Sequence, residues 1–154
     1  MAVGSVRIEE SFYEQFKDVD IPFLMTCSEY DLSYLNVFDA DAGHFGPAYY
    51  EMLSRFLPYN EISYEEKVGE IDYAKNPISG FTGDTFSYQK LHGEYGAYTW
   101  MFNNDAGVPM VGVTYVECLV HALYPEYANL FWDFAKHYSR DPETLEIIYN
   151  PYVD

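Results

Sequence analysis

Positive charge is what this chain most lacks. Eight Lys and Arg face 25 Asp and Glu, for a formal net charge of −17. No Lys or Arg occurs between Lys17 and Arg55, or between Lys90 and Lys136. A protein that grips nucleic acid displaces counterions with cationic side chains, so direct binding of DNA or RNA is not expected. Anionic lipid repels such a surface as well. Cysteine is nearly as scarce. Cys27 and Cys118 allow one disulfide but no secreted disulfide framework, and thiols in a reducing cytoplasm are the simpler expectation. No apolar run approaches the roughly 20 residues of a membrane-spanning helix. The opening residues, "MAVGSVRIEES", carry no apolar stretch of the signal-peptide kind. Catalytic signatures are missing too: there is no nucleophile elbow, phosphate loop or dinucleotide fingerprint. "GEYG" sits in a turn with no helix after it. No cofactor and no catalytic activity are expected.

What the chain does have is aromatic surface. It holds 17 Tyr, 11 Phe and 2 Trp, and 49% of its residues are hydrophobic. That content excludes a disordered acidic tail. A chain of 154 residues fits one domain, residues 1–154, that buries roughly two-thirds of its unfolded surface. The acids are not confined to one end. Through Lys75 there are 15 acids and 5 bases, and beyond it 10 acids and 3 bases. The charge therefore clothes a folded surface.

Hydrophobic spacing supplies the elements. Ile8, Phe12 and Phe16 share one helical face. "IPFLMT" is ambiguous between strand and loop, and Ser28 is placed to cap a short helix through Leu35. "FDADAGHFG" reads as a turn-rich loop. Pro47 suits the first position of a helix that buries Tyr49, Met52, Leu53, Phe56 and Leu57 and stops at Pro58. Ser63 and Glu66 form a capping box for a helix running to about Lys75, with Tyr64, Val68 and Ile71 inward. "TFSYQKL" and "GAYTWMF" alternate and pair as a hairpin, and "VPMVGV" follows as a third strand with Pro109 at an edge or at its first positions. Thr114 and Glu117 form another capping box, so "YVECLVHAL" reads as a deeply buried helix. Tyr127, Leu130, Phe131, Phe134, Ala135 and Tyr138 make an amphipathic stripe. Asp141 and Pro142 begin a last short helix. The expected class is α+β: several helices packed on a small antiparallel sheet over about residues 84–113.

Two metal patterns weigh little. Cys118, His121 and Glu117 share one segment, and Asp133 and His137 lie four apart on the next, but neither has zinc-motif spacing. Glu117 serves as a cap partner, and an ordinary surface pair explains Asp133 with His137. "DADAG" begins like a calcium loop with Asp39, Asp41 and Gly43. The sixth and twelfth positions are His44 and Tyr50 where glycine and glutamate belong. No metal site is assigned.

The sharpest feature is "NEISYEEKVGEIDY", with five carboxylates and one lysine. Glu66 and Glu70 lie four apart on the outer side of the expected helix with Tyr73 beside them. Glu65 and Asp72 share a second outward line, and Glu61 precedes them. Like charges so spaced cost about 0.2–0.5 kcal/mol per pair. A solvated face is the bland reading. Interleaved tyrosines, which offer large contact area and a polar tip, favour a binding face. Carboxylates repeating along a surface can compete for a groove built for phosphates. The composition suits a non-catalytic inhibitor that blocks a basic, nucleic-acid-binding protein, the profile of phage or plasmid anti-defence proteins such as anti-CRISPR and antirestriction proteins. The alternatives are an immunity protein neutralising a nuclease toxin, a small metal-dependent enzyme using the His121 and His137 region, or a structural assembly subunit joined through its aromatics.

With no basic cluster, the purified protein should leave DNA and RNA unshifted on a native gel at low salt. A retained complex would overturn that exclusion.

Overall fold

The computed structural model describes residues 11, 14–15, 19–31, 37–93, 95–120, 122 and 124–153. Its centre is β6 (Pro109–Val120), a twelve-residue strand whose positions 110–116 are all buried. β1 (Phe23–Tyr30) runs parallel to it on one side and β5 (Tyr95–Asn103) antiparallel on the other. β4 (Thr85–His92) pairs with β5 and closes the order β1-β6-β5-β4. Two small hairpins flank this mixed sheet: β2 (Phe38–Asp39) with β3 (His44–Phe45), and β7 (Tyr138–Arg140) with β8 (Ile147–Tyr149). The labelled helices are α1 (Pro47–Tyr59), α2 (Tyr64–Lys67) and α3 (Glu126–Ala135).

This corrects the expectation of several helices on a small antiparallel sheet. The protein is sheet-dominated, and the sheet is larger and mixed. The main error is local. "YVECLVHAL" is apolar nearly all round, which suits a buried helix or a strand buried on both faces. The β-branched Val111, Val113, Thr114 and Val116 favour the strand. Thr114 Oγ1 does not cap a helix: it meets Thr99 Oγ1 across the strands at 2.8 Å. Glu117 accepts a hydrogen bond from the Tyr98 hydroxyl at 2.8 Å. The helix expected from Ser28 is likewise corrected at its start, since Ser28 is buried inside β1; residues 32–36 lie outside the described residues. The terminal helix at Asp141 is a turn joining β7 to β8. Asp141 Oδ1 accepts from the amides of Glu143 and Thr144, each at 2.8 Å. The face formed by Ile8, Phe12 and Phe16 lies outside the described residues.

Other expectations match. The hairpin of β4 and β5 is present, with Gly93 at φ +55° in its turn. Pro109 opens β6, where its missing N–H costs little. Helix α1 has Pro47 at its first turn and buries Tyr49, Leu53, Phe56 and Leu57 as expected, but Met52 is only half-buried and Pro58 lies inside the last turn instead of ending it.

Strand register explains how the core is layered. Met25, Val113, Trp100 and Phe86 are consecutive cross-strand partners, and so are Cys27, Tyr115, Tyr98 and Tyr88. Each row begins under α1 and ends in solvent at β4. Trp100 is 2% exposed, whereas Phe86 is 57% exposed. Phe45 meets the Trp100 ring edge-on at 5.8 Å, and Phe23 stacks on Phe56 at 3.7 Å. Asn60 locks the end of α1 to the chain entering β1. Its Oδ1 accepts from Ile21 N at 2.9 Å, and its Nδ2 donates to Ile21 O at 3.0 Å and Phe56 O at 2.9 Å. On the opposite sheet face, α3 covers Ala97, Val116 and Leu119 through Tyr127, whose hydroxyl bonds Ser28 Oγ at 2.9 Å.

Trp100 joins α1, the β2–β3 hairpin and the sheet. Trp100→Ala should therefore destabilise the domain by about 3–5 kcal/mol. Chemical denaturation checks this, and a loss below 1 kcal/mol would contradict the packing described.

Candidate functional site

The acidic segment follows α1 and is built around one turn of helix. Ser63 Oγ accepts the amide of Glu66 at 3.3 Å, the N-cap half of the expected capping box. The helix then ends at Lys67 and does not reach Lys75. Gly69 stops it with φ +52°, a left-handed conformation. A Cβ there would lie 2.5 Å from the Glu65 carbonyl oxygen. Glu66 and Glu70 therefore do not share a continuous helical face.

Two apolar side chains nail the segment down: Ile62 is 3% exposed and Val68 is 6% exposed. Between and around them, Glu61, Glu65, Glu66 and Glu70 all point into solvent. Glu61 adopts φ +58° directly after α1. Lys67 is the one base within residues 61–73, and its charge is directed elsewhere. Its Nζ meets Asp84 Oδ1 at 2.6 Å, while Asp84 Oδ2 accepts the Asn103 amide at 2.8 Å. This clip ties α2 to the sheet. It also leaves the four glutamates without the local cation.

The other two residues assigned to the site from sequence play a different part. Asp72 is half-buried and shapes the loop: its Oδ1 accepts from Ala74 N at 2.9 Å, and its amide donates to Gly80 O at 2.9 Å. Tyr73 is half-buried too. Its hydroxyl shares a hydrogen bond with the Tyr50 hydroxyl at 2.8 Å and donates to Phe45 O at 3.2 Å, and its ring stacks on His44 at 3.9 Å. Burial, then the hydrogen bond with Tyr73, pushes the Tyr50 phenol up. Tyr73 is thus an anchor for the loop beneath the glutamates.

The metal patterns come apart in space. Asp133 pairs with Lys136 at 3.3 Å, and His137 Nδ1 bonds Asn150 O at 2.9 Å. Cys118 is exposed on β6, and its amide donates to Glu29 Oε2 at 2.7 Å. His121 lies outside the described residues. Among the described residues, no three His, Cys, Asp or Glu side chains gather as a metal site. Asp39 Oδ1 is engaged with its own turn, accepting from Ala42 N at 3.1 Å.

Two features were not assigned from sequence. The first is a cleft of about 260 Å³ between the β4–β5 hairpin and α3, with Ser87, Thr99, Leu130, Phe134 and Tyr138 on its walls. The second is an aromatic row on the other sheet face, where Phe86 and Tyr88 stand half exposed beside Tyr98. The hydrogen bond to Glu117, then burial, pushes the Tyr98 phenol up to about 12. The alternation of "TFSYQKL" places Phe86 and Tyr88 together; that β4 has no outer neighbour among the described residues is visible only in the fold. No protein-family model matches the chain, and no curated protein matches it in sequence.

The Lys67–Asp84 clip has a signed pH consequence. Burial raises the Asp84 carboxyl, but the hydrogen bonds from Lys67 and the Asn103 amide, with the Lys67 charge, outweigh it and lower the carboxyl below its ordinary value. A lowered folded value stabilises the protein above the unfolded value of about 3.9 and is lost as pH falls through the folded one. Asp84→Asn should thus destabilise at pH 7 and converge on the parent at the acid end. Melting curves from pH 7 to pH 2 test this. A mutational difference that stays constant across the range would show that the ion pair contributes nothing.

Proposed function

We propose that this protein is a non-catalytic acidic inhibitor that docks on a basic, nucleic-acid-binding protein in the cytoplasm and blocks it. The target class is a host or toxin nuclease, or another effector with an electropositive cleft. An anti-defence inhibitor of a host nuclease and an immunity protein against a toxin nuclease use the same physics and share this reading. The observation that carries it is the exposed set Glu61, Glu65, Glu66 and Glu70, held by buried Ile62 and Val68 while Lys67 is diverted to Asp84. A net charge of −17 adds a long-range field of the same sign. Among the described residues, no helix is long and apolar enough to cross a membrane, which fits the proposed location.

The binding face is refined by the geometry. The glutamates make the contact, and Asp72 and Tyr73 hold the loop that carries them. Replacing Glu66 and Glu70 by Gln removes two charges and keeps nearly all shape. The Ser63 cap survives because the bond goes to the backbone amide of residue 66. The melting temperature should stay within a few degrees of the parent, while affinity for a captured basic partner falls about tenfold or more. Tyr73→Phe should loosen the loop and cost stability of about 0.5–1.5 kcal/mol, through its lost hydrogen bonds. Parallel measurement of melting and partner affinity checks both. A Glu66→Gln, Glu70→Gln protein that binds as tightly as the parent would reduce this segment to a solvated face.

A further inference from the structure

β4 is an unusual edge. Among the described residues it has one hydrogen-bonded neighbour, β5, and no strand pairs with its other side. Residues 85–90 are exposed, beyond the close packing of α1 and α3 on the sheet. The strand nevertheless carries large apolar side chains, with Phe86 57% and Tyr88 52% exposed. Native proteins normally blunt such an edge with charge, proline or a bulge, since unpaired N–H and C=O groups template further pairing. Between residues 85 and 90 the edge has no proline and one formal charge, Lys90, and the irregularity in its ladder comes only after that, between Lys90 and His92. No carboxylate occurs from residue 85 through residue 93. In a chain with 25 acids, this makes β4 a place where two copies can meet without opposing carboxylates.

The strand is also complementary to itself. Laid antiparallel on a second copy with the two-fold axis at Tyr88, each Tyr88 faces its counterpart. Phe86 then faces the second copy's Lys90, and Ser87 faces its Gln89. The pairs on one face are aromatic–aromatic and cation–aromatic, and those on the other are polar pairs that can hydrogen-bond. A symmetric interface needs this kind of match, since one patch serves both subunits.

We propose that β4 is a homodimerisation edge, joining two copies through antiparallel β4–β4 pairing about Tyr88 into one continuous eight-stranded sheet. The contact is small beside the ~1,200 Å² of a stable complex, so the dimer is reversible and concentration-dependent. Repulsion between two chains of charge −17 opposes it. Salt shortens the reach of that repulsion from about 10 Å at 0.1 M to 3 Å at 1 M, so dimerisation strengthens with salt. Docking of a basic partner on the glutamates has the opposite salt sign, so the two surfaces are separable experimentally.

The test is sedimentation velocity of the full chain over a hundredfold range of concentration, at 0.1 M and 1 M NaCl. Twice the monomer mass should appear at high concentration, with a larger dimer fraction at 1 M. Tyr88→Asp places two carboxylates on the axis and should return the protein to monomer at every concentration. Gln89→Asp, on the opposite face and away from the aromatic row, should weaken the dimer at least tenfold, and it stands alone if circular dichroism shows Tyr88→Asp unfolded. A parent that stays monomeric at 1 M salt overturns the proposal. So does a dimer that persists unchanged in the folded variants, or one that dissociates as salt rises.

Discussion

Everything else in the molecule leans on the double burial of β6. Positions 110–116 have no solvent on either face, so the strand must be covered by α1 on one side and α3 on the other. Each fully buried Val along it contributes about 1.5–3 kcal/mol relative to exposure. Its N–H and C=O groups are satisfied by two neighbours of opposite direction, β1 parallel and β5 antiparallel. The parallel pair forces the intervening chain to wrap around the sheet. That wrap contains α1, the acidic segment and the β4–β5 hairpin.

The same constraint sorts the charge. Within the strands of the main sheet, the acids are Glu29 and Glu117 alone, both near the ends of their strands. Both are used, Glu29 by the Cys118 amide and Glu117 by Tyr98. Among the described residues the other acids lie outside the main sheet's strands, and most of them, though not the buried Asp31, face water. A sheet this apolar leaves the loops to carry solubility, and residues 61–73 carry five of the acids. The protein therefore has two surfaces of opposite character: acidic turns around α2, and an acid-free, aromatic edge at β4.

Much of this was legible in the residues where the signal is local. Pro47 and the i, i+3, i+4 spacing of α1 mark that helix, and the alternation of Phe86 and Tyr88 against Tyr98, Trp100 and Phe102 marks the hairpin. The Ser63 half of the expected capping box is present, with its side chain on the Glu66 amide, but a cap announces where a helix begins and not where it ends. Gly69 ends it. The nonlocal facts were not legible. "VGVTYV" has no polar face, because neither side meets water, and an all-round apolar run carries no period to read. The parallel β1–β6 pairing joins residues about 90 positions apart and leaves no local trace. For the acidic site, exposure of the glutamates follows from charge alone. The inward turn of Tyr73 depends on Tyr50 and Phe45, which belong to other elements.

The central claim is that charge on the acidic segment drives recognition of a basic partner. Surface charge acts first on encounter, before any contact is made. The most direct measurement is therefore the association rate with a captured basic partner, followed by stopped flow from about 0.05 to 0.5 M salt, a range over which the screening length falls severalfold. The account predicts that the association rate drops by about tenfold or more while the dissociation rate changes little. An association rate that stays level across that range would contradict it.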